Sequence, residues 1–110
     1  MSVIRRVARQ IGEEFRPEKV ILFGSYAYGT PHEHSAVDLL VIMPSRNAID
    51  QAVKVRRTTN PPFATDIIVR TPHSMAWRLK AGDSFLQEII DKGKVLYAAP
   101  DSRMGAKGRS

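Results

Sequence analysis

Three short apolar runs, each ending near glycine or proline, place the strongest constraint on what this chain can fold into. They are Lys19–Phe23, Asp38–Met43 and Phe63–Val69. Runs of this length bounded by turn residues are typical of buried strands, and the segments between them are long enough for helices. We therefore expect a small sheet with helices packed on it.

Helical periodicity is found in the segments around these runs. Helices are predicted for residues 2–16, 46–58 and 72–80, and for a segment that begins near Asp83 or Ser84. The apolar residues of the second helix are Ile49, Ala52 and Val53. Met75, Trp77 or Leu79 are the expected buried residues of the third helix.

Capping and turn residues set the remaining helix and strand boundaries. Thr71 and Pro72 are typical of an N-cap followed by proline at the first helical position. Gly93 is expected to end the last helix as a C-terminal glycine cap, and Lys94–Tyr97 is predicted as a final short strand. The fold class is therefore α/β (α+β), with helices packed on a small mixed sheet.

Size and charge narrow the classes of function. The 110 residues are enough for one domain, predicted for residues 1–97, followed by a polar basic tail, 98–110, expected to be disordered. The net charge of +6 favours polyanionic partners such as nucleotides, RNA or acidic protein surfaces. Because the chain has no cysteine, it has neither disulfides nor thiolate metal sites. No apolar run approaches the roughly 20 residues that span a bilayer, and no signal peptide is recognisable, so a cytoplasmic location is expected.

Gly24 and Ser25 follow the first apolar run, and Gly29 comes four residues after Ser25. Glycine lets the chain turn and lets a ligand approach the main chain, and N–H groups at a helix start can hold phosphate oxygens. The simpler interpretation is a tight turn without a ligand. The residues alone do not decide between the two.

Two aspartates lie in unusual places for a strand. Asp38 begins the second apolar run and Asp66 interrupts the third. An ionised carboxylate beside a core is costly unless it is paired or bound to a cation. A structural salt bridge to an arginine is one explanation. A site for Mg²⁺, which prefers oxygen ligands, is the other.

In this order, the motifs resemble the polymerase-β-type nucleotidyltransferases, and specifically their minimal branch. The family pattern is a Gly-Ser pair, a glycine, Ser-Asp-x-Asp before an apolar strand, and a third Asp on a later strand. The corresponding residues here are Gly24-Ser25 and Gly29, then Ser35-Ala36-Val37-Asp38, then Asp66. The resemblance covers about residues 2–97 and implies that Gly24, Ser25 and Ser35 bind a nucleoside triphosphate while Asp38 and Asp66 are catalytic and bind Mg²⁺.

Ala36 departs from this pattern, since the family has an aspartate there. Positions 36 and 38 are two apart in an extended chain and point to the same face, so the third carboxylate of a two-metal site is missing. The alanine is either an engineered inactivation or a natural loss. Because Ser35, Asp38 and Asp66 are retained, we favour an active parent inactivated by substitution.

The resemblance implies transfer of AMP from ATP to a hydroxyl group. Small stand-alone members of the family often act as antitoxins that attach AMP to a tyrosine of a HEPN-domain ribonuclease toxin, and no substrate-recognition segment is evident here. A second hypothesis is a non-catalytic antitoxin that neutralises its toxin by binding it. RNA binding through the basic tail is a third, less favoured hypothesis, and His32 and His34 are given no role.

Overall fold

The computed structural model describes residues 2–31 and 35–100 of the chain. These residues form five helices and four strands. In chain order the elements are α1 (Ser2–Phe15), β1 (Lys19–Phe23), α2 (Ser25–Tyr28), β2 (Val37–Ile42), α3 (Ala48–Thr59), β3 (Thr65–Arg70), α4 (Pro72–Lys80), α5 (Ser84–Lys92) and β4 (Lys94–Ala98). The predicted α/β class is confirmed, and each predicted element is present with ends shifted by at most two residues.

The four strands form one mixed sheet in the order β3-β2-β1-β4. β1 runs antiparallel to β2 and to β4, whereas β2 and β3 are parallel. The two central strands are the most continuous apolar runs of the sequence, as expected for strands covered on both faces. β3 and β4 are the edge strands, so Asp66, which is near the start of β3, lies at an edge of the sheet.

Alternation along the strands divides the core between the two faces of the sheet. Val20 and Leu22 of β1 pack with α1 and α3 on one face, and Ile21 and Phe23 pack with α4 and α5 on the other. Asp38 has the same parity as Leu40, which faces α4 and α5. The carboxylate of Asp38 therefore belongs to the α4–α5 face.

The caps of α4 and α5 follow the sequence prediction at their N-terminal ends. The Thr71 hydroxyl accepts a hydrogen bond from the Ser74 N–H at 3.0 Å, with Pro72 at the first helical position. The Asp83 carboxylate accepts from the Leu86 N–H at 3.0 Å. Each cap satisfies one of the amide groups that a helix start leaves without a partner.

Gly93 ends α5 as predicted and its N–H donates to the Ile89 carbonyl, but its backbone is not in the left-handed conformation common in glycine caps. Its φ is −71°, which is open to any residue. A Cβ atom at this position would instead lie 2.8 Å from Ile21 Cγ2 and 2.9 Å from the Leu22 carbonyl oxygen. Glycine is required here because α5 ends pressed against β1, not because the backbone is left-handed.

Of the three apolar residues that the sequence names for this helix, only Ala52 lies on the face of α3 that packs on the sheet. Ile49 is 78% exposed and Val53 is 48% exposed, whereas Val55 is fully buried. The face directed at the sheet combines Val55 with the small residues Ala48 and Ala52. Likewise Met75 of α4 is buried, but Trp77 is half-exposed. Small side chains let α3 approach the sheet closely and leave its larger apolar residues outside.

The domain boundary predicted after residue 97 remains a prediction, because most of the predicted tail, residues 101–110, lies outside the described residues. β4 continues to Ala98, and the Ala99 N–H donates to the Glu18 carbonyl at 2.9 Å. Across the described ranges, no helix has both the length and the hydropathy to span a membrane.

Two valines of α3 test this assignment of faces. Val55→Ala is expected to lower the free energy of unfolding by about 1–3 kcal/mol, because it leaves a cavity under the helix. Val53→Ala removes the same atoms from an exposed position and is expected to change stability by less than about 0.5 kcal/mol. Urea denaturation of both variants measures the difference. Equal losses would contradict the assignment.

Candidate active site

The parallel pairing of β2 and β3 brings the two candidate carboxylates together. Asp38 and Asp66 are direct neighbours in the register, between the pairs Val37–Thr65 and Leu39–Ile67. Adjacent strands are about 4.8 Å apart, and side chains at paired positions point to the same face. Residues 28 positions apart in the chain thus form one acidic pair.

Asp66 lies near the start of its strand and is exposed, whereas Asp38 is half-buried. The strand begins at Thr65, two residues later than predicted, so Asp66 is at the rim of the sheet and not in the middle of a strand. This position lets solvent or a ligand reach its carboxylate.

The salt-bridge explanation for the aspartates is not supported by the contacts. Within residues 2–31 and 35–100, neither Asp38 nor Asp66 forms an ion pair with a lysine or an arginine. The ion pair found there joins Arg78 and Asp83 at 3.7 Å. Two neighbouring carboxylates without a cationic partner are the arrangement expected of a site for a cation.

The environment raises the pKa of Asp38 above its ordinary value of 3.8. Burial is the largest cause, followed by the negative charge of Asp66 and the hydrogen bond between the two side chains. A divalent cation between the carboxylates would favour the ionised form of Asp38 and oppose all three effects.

Gly24 lies directly against this pair. β1 ends at Phe23, opposite Asp38 in the antiparallel register, so the next residue lies beside the Asp38 side chain. A Cβ atom at Gly24 would overlap Asp38 Oδ2 and would be 3.2 Å from its Cγ. Gly24 also has φ 77° and ψ −161°, a conformation that is essentially restricted to glycine. Both the backbone conformation and the close approach to Asp38 require glycine here.

Ser25 begins the short helix α2, so the turn after Gly24 leads directly into a helix start. The Ala27 N–H donates to the Gly24 carbonyl at 2.9 Å, and Gly29 closes the helix with a left-handed φ of 84°. The half-buried Ser25 side chain is therefore at the start of a helix, next to the acidic pair. Glycine at both ends was the available signal, but a helix of four residues is too short for periodicity to reveal.

Ser35 and Ala36 lead into β2 at the same end of the sheet. Both are half-buried, and Ala36 is two residues before Asp38. No group of three histidine or acidic side chains able to hold a metal ion is found in the part of the chain that the structure describes. His32 and His34 lie outside the described residues. The site thus contains a pair of carboxylates where the sequence pattern leads one to expect three.

Two further features of the site were not predicted from the sequence. Phe85 of α5 packs edge-on against Phe23 with ring centroids 5.7 Å apart, and it remains half-exposed beside the end of β1. An open groove of about 380 Å³ runs between α3 and β3 and includes Asp66 in its lining. We call it the β3-edge groove. Its lining consists of Ala48, Ile49, Ala52, Val53 and Arg56 of α3 and of residues Thr65–Arg70 of β3.

A family model for the nucleotidyltransferase domain matches residues 4–96 of the chain. The chain belongs to the nucleotidyltransferase domain family. The match covers the whole described sheet except the end of β4, and it includes Gly24, Ser25, Asp38 and Asp66. No significant match is found among curated proteins.

Solved structures share the fold of this nucleotidyltransferase domain. A protein from Sulfolobus solfataricus assigned as a nucleotidyltransferase superposes with a TM-score of 0.60 and 18% sequence identity, over 88% of this chain and 78% of that one. A toxin–antitoxin structure with AMP-PNP gives a TM-score of 0.55 and 20% identity, over 94% and 81% of the two chains. A mutant of the toxin–antitoxin pair MntA–HpeT gives 0.54 and 19%, with the same coverage. At these identities the likeness establishes the fold.

The raised pKa of Asp38 predicts how stability depends on pH. The folded state binds the proton more tightly than the unfolded state, so Asp38 lowers stability as the pH rises from 3.8 through its folded pKa. In buffer with a metal chelator, Asp38→Asn is therefore expected to raise Tm at neutral pH, and the gain should shrink as the pH falls towards 3.8.

Scanning calorimetry over a pH series measures this difference. Glu14→Gln, which removes an exposed carboxylate from α1, is the matched control and should leave the pH profile unchanged. A Tm for Asp38→Asn that lies below the parent value at neutral pH would contradict the predicted sign.

The close packing of Gly24 against Asp38 gives a second prediction. Gly24→Ala is expected to cost about 3 kcal/mol of stability, because it combines backbone strain with overlap of the Asp38 carboxylate. Gly29→Ala has a similar positive φ but no atom within 4 Å of the new Cβ, so it should cost only about 1 kcal/mol. Equal losses in chemical denaturation would show that the overlap with Asp38 is relieved without cost.

Proposed function

We propose that this nucleotidyltransferase domain is the antitoxin of a toxin–antitoxin pair and that its parent form transfers AMP from ATP to a hydroxyl group of the toxin. The observation that carries the proposal is the Asp38–Asp66 pair, which has no cationic partner in the described residues and lies beside Gly24 at one end of the sheet. The similarity to toxin–antitoxin structures, one of them with AMP-PNP, supports the biological setting.

The residues fit one divalent cation better than two. Mg²⁺ accepts one or two protein carboxylates and completes its shell with water and phosphate oxygens. Asp38 and Asp66 supply that number, and as register partners on adjacent parallel strands they point to the same face of the sheet. The cation would neutralise charge on the triphosphate. The third carboxylate of a two-metal site would come from an aspartate at position 36.

The other residues are proposed to bind and orient the nucleotide. Gly24 allows close approach of the triphosphate to the main chain, and Ser25 adds a hydroxyl donor at the start of α2. Ser35 precedes β2 at the same end of the sheet and would contact the same phosphates. Asp66 is exposed, so it is the carboxylate that an acceptor group can reach.

The proposed reaction is an in-line transfer at the α-phosphorus of ATP. The acceptor oxygen forms a bond to this phosphorus while the bond to the oxygen of the β-phosphate breaks. AMP remains on the acceptor, pyrophosphate leaves, and Asp66 receives the proton of the hydroxyl group. A tyrosine of a HEPN-domain ribonuclease is the acceptor that we propose.

A second function is favoured by Ala36. Since the described residues hold no group of three metal ligands, we propose that the chain with Ala36 is inactive or impaired in nucleotidyl transfer. A domain of this kind can still neutralise a toxin by covering it, without any chemistry. The two functions differ in whether restoring a carboxylate at position 36 restores transfer.

Ala36→Asp tests the proposed function directly. The restored protein, co-expressed with the toxin partner and supplied with Mg²⁺ and ATP, is expected to add the mass of AMP to that partner, because position 36 lies on the same face as Asp38. Intact-protein mass spectrometry measures the addition. We expect the rate to exceed that of the chain as written by at least about 100-fold, as for loss of a major catalytic group.

Ala36→Asn is the matched control, since it adds a side chain of the same size without the charge. If Ala36→Asp adds no mass while the chain as written still neutralises the toxin, transfer is abandoned in favour of the binding function. Equal activity of the Asp and Asn variants would contradict the proposed role of the third carboxylate.

A further inference from the structure

The β3-edge groove lies along a strand edge that is open to pairing. The Ala64 carbonyl accepts from the Val37 N–H, and the Arg70 carbonyl accepts from the Met43 N–H, so even-numbered residues of β3 direct their backbone groups to β2. Backbone direction alternates along a strand. The N–H and C=O groups of Thr65 and Ile67 therefore point away from the sheet, towards the groove, where Ile67 is half-buried and Thr65 is 5% exposed.

Arg70 limits the open part of this edge. Its Nη1 donates to the carbonyl oxygen of Val69 at 3.0 Å, which occupies an outward-facing acceptor at the end of β3. A charged side chain folded over a strand edge is a common protection against unwanted pairing. The remaining free groups are those of Thr65 and Ile67, which flank Asp66.

The opposite wall of the groove combines apolar and cationic side chains. Ile49 and Val53 of α3 are exposed there, although large apolar side chains are usually buried. Arg56 also lines the groove, and it forms no ion pair with any residue that the structure describes. The charged residues of the lining are Arg56, Asp66 and Arg70, so cations outnumber anions and the groove favours an acidic occupant.

We propose that the β3-edge groove binds an extended acidic segment of the acceptor protein, which adds a strand to β3 and carries the hydroxyl group to Asp66. This inference rests on the proposed function and names the surface through which the acceptor is presented. Main-chain hydrogen bonds to Thr65 and Ile67 provide the affinity, as in other cases of strand addition.

Strand geometry specifies what the segment must look like. The partner residue paired with Asp66 directs its side chain to the same face as the Asp66 carboxylate, so this residue carries the acceptor hydroxyl. Its two neighbours point to the other face, where Ile49 and Val53 accept apolar side chains. A carboxylate near the Thr65 end of the segment would pair with Arg56, which also borders the loop at residues 60–63.

A random copolymer of glutamate and tyrosine is a suitable probe, because it offers many acidic segments that contain a hydroxyl group. Binding is measured by fluorescence anisotropy on the chain as written, without nucleotide. A copolymer of lysine and tyrosine of equal length should bind more weakly, because its side chains would repel Arg56.

Arg56→Glu and Lys54→Glu distinguish binding in the groove from binding to the net charge of the surface. Both variants change the charge by the same amount on the same exposed stretch of α3, but Lys54 does not line the groove. Arg56→Glu is expected to raise the dissociation constant by about tenfold, because a contact attraction becomes a repulsion, and Lys54→Glu by about twofold. Equal effects would show binding to the surface charge in general and would overturn the proposal.

Residue-resolved hydrogen exchange tests strand addition itself. The amides of Thr65 and Ile67 should become protected when the copolymer binds, and those of β4, the other edge strand, should not change. Protection of β4 in place of β3 would overturn the proposal. Protection of β3 that appears with rising protein concentration alone would assign the edge to a second copy of the chain and would also overturn it.

The copolymer experiments and the Ala36→Asp test of AMP transfer can fail independently of each other. If Ala36→Asp labels its partner but the copolymer neither binds nor protects Thr65 and Ile67, the groove inference fails and the proposed function stands. If the copolymer binds with the expected pattern but Ala36→Asp transfers nothing, the groove stands as a binding surface and the catalytic function fails.

Discussion

The parallel register between β2 and β3 is the constraint on which the site depends. It places Asp38 beside Asp66 and directs both carboxylates to the α4–α5 face. A shift of one residue would move one carboxylate to the opposite face and separate the pair. The buried residues Leu39 and Val41 stabilise this register, because a shift would remove them from the apolar cluster that they form with α1 and α3. The apolar core thus fixes the geometry of the polar site.

Much of the fold could be predicted from the sequence, because its signals are local. β1 and β2 are apolar runs between turn residues, and Thr71-Pro72 is a cap that depends on neighbouring residues only. The face of α3 could not be predicted in this way. Its largest apolar residues, Ile49 and Val53, are exposed because the sheet accommodates the smaller Ala48 and Ala52.

The candidate residues stand out in the sequence, but the expectation that Asp38 and Asp66 lie together comes from the family resemblance and not from their spacing. Two aspartates in apolar strands are conspicuous in the sequence, yet their separation by 28 positions says nothing about contact. Their pairing depends on the strand order, a tertiary property that no local pattern encodes. The close packing of Gly24 on Asp38 and the open edge beside Asp66 depend on the same order. Only for position 36 does spacing predict an arrangement, because residues two apart in an extended chain point to the same face, here the face of Asp38.

The carboxylate pair also means that stability and function oppose each other in this domain. Burial and repulsion from Asp66 disfavour the ionised form of Asp38, so this carboxylate lowers the stability of the fold at neutral pH. Any substitution that removes one of these acids reduces that cost to stability. An aspartate at position 36 would raise the cost further, and the alanine found there does not. Selection for persistence of the folded chain alone would therefore favour such an alanine, and only demand for turnover would oppose it.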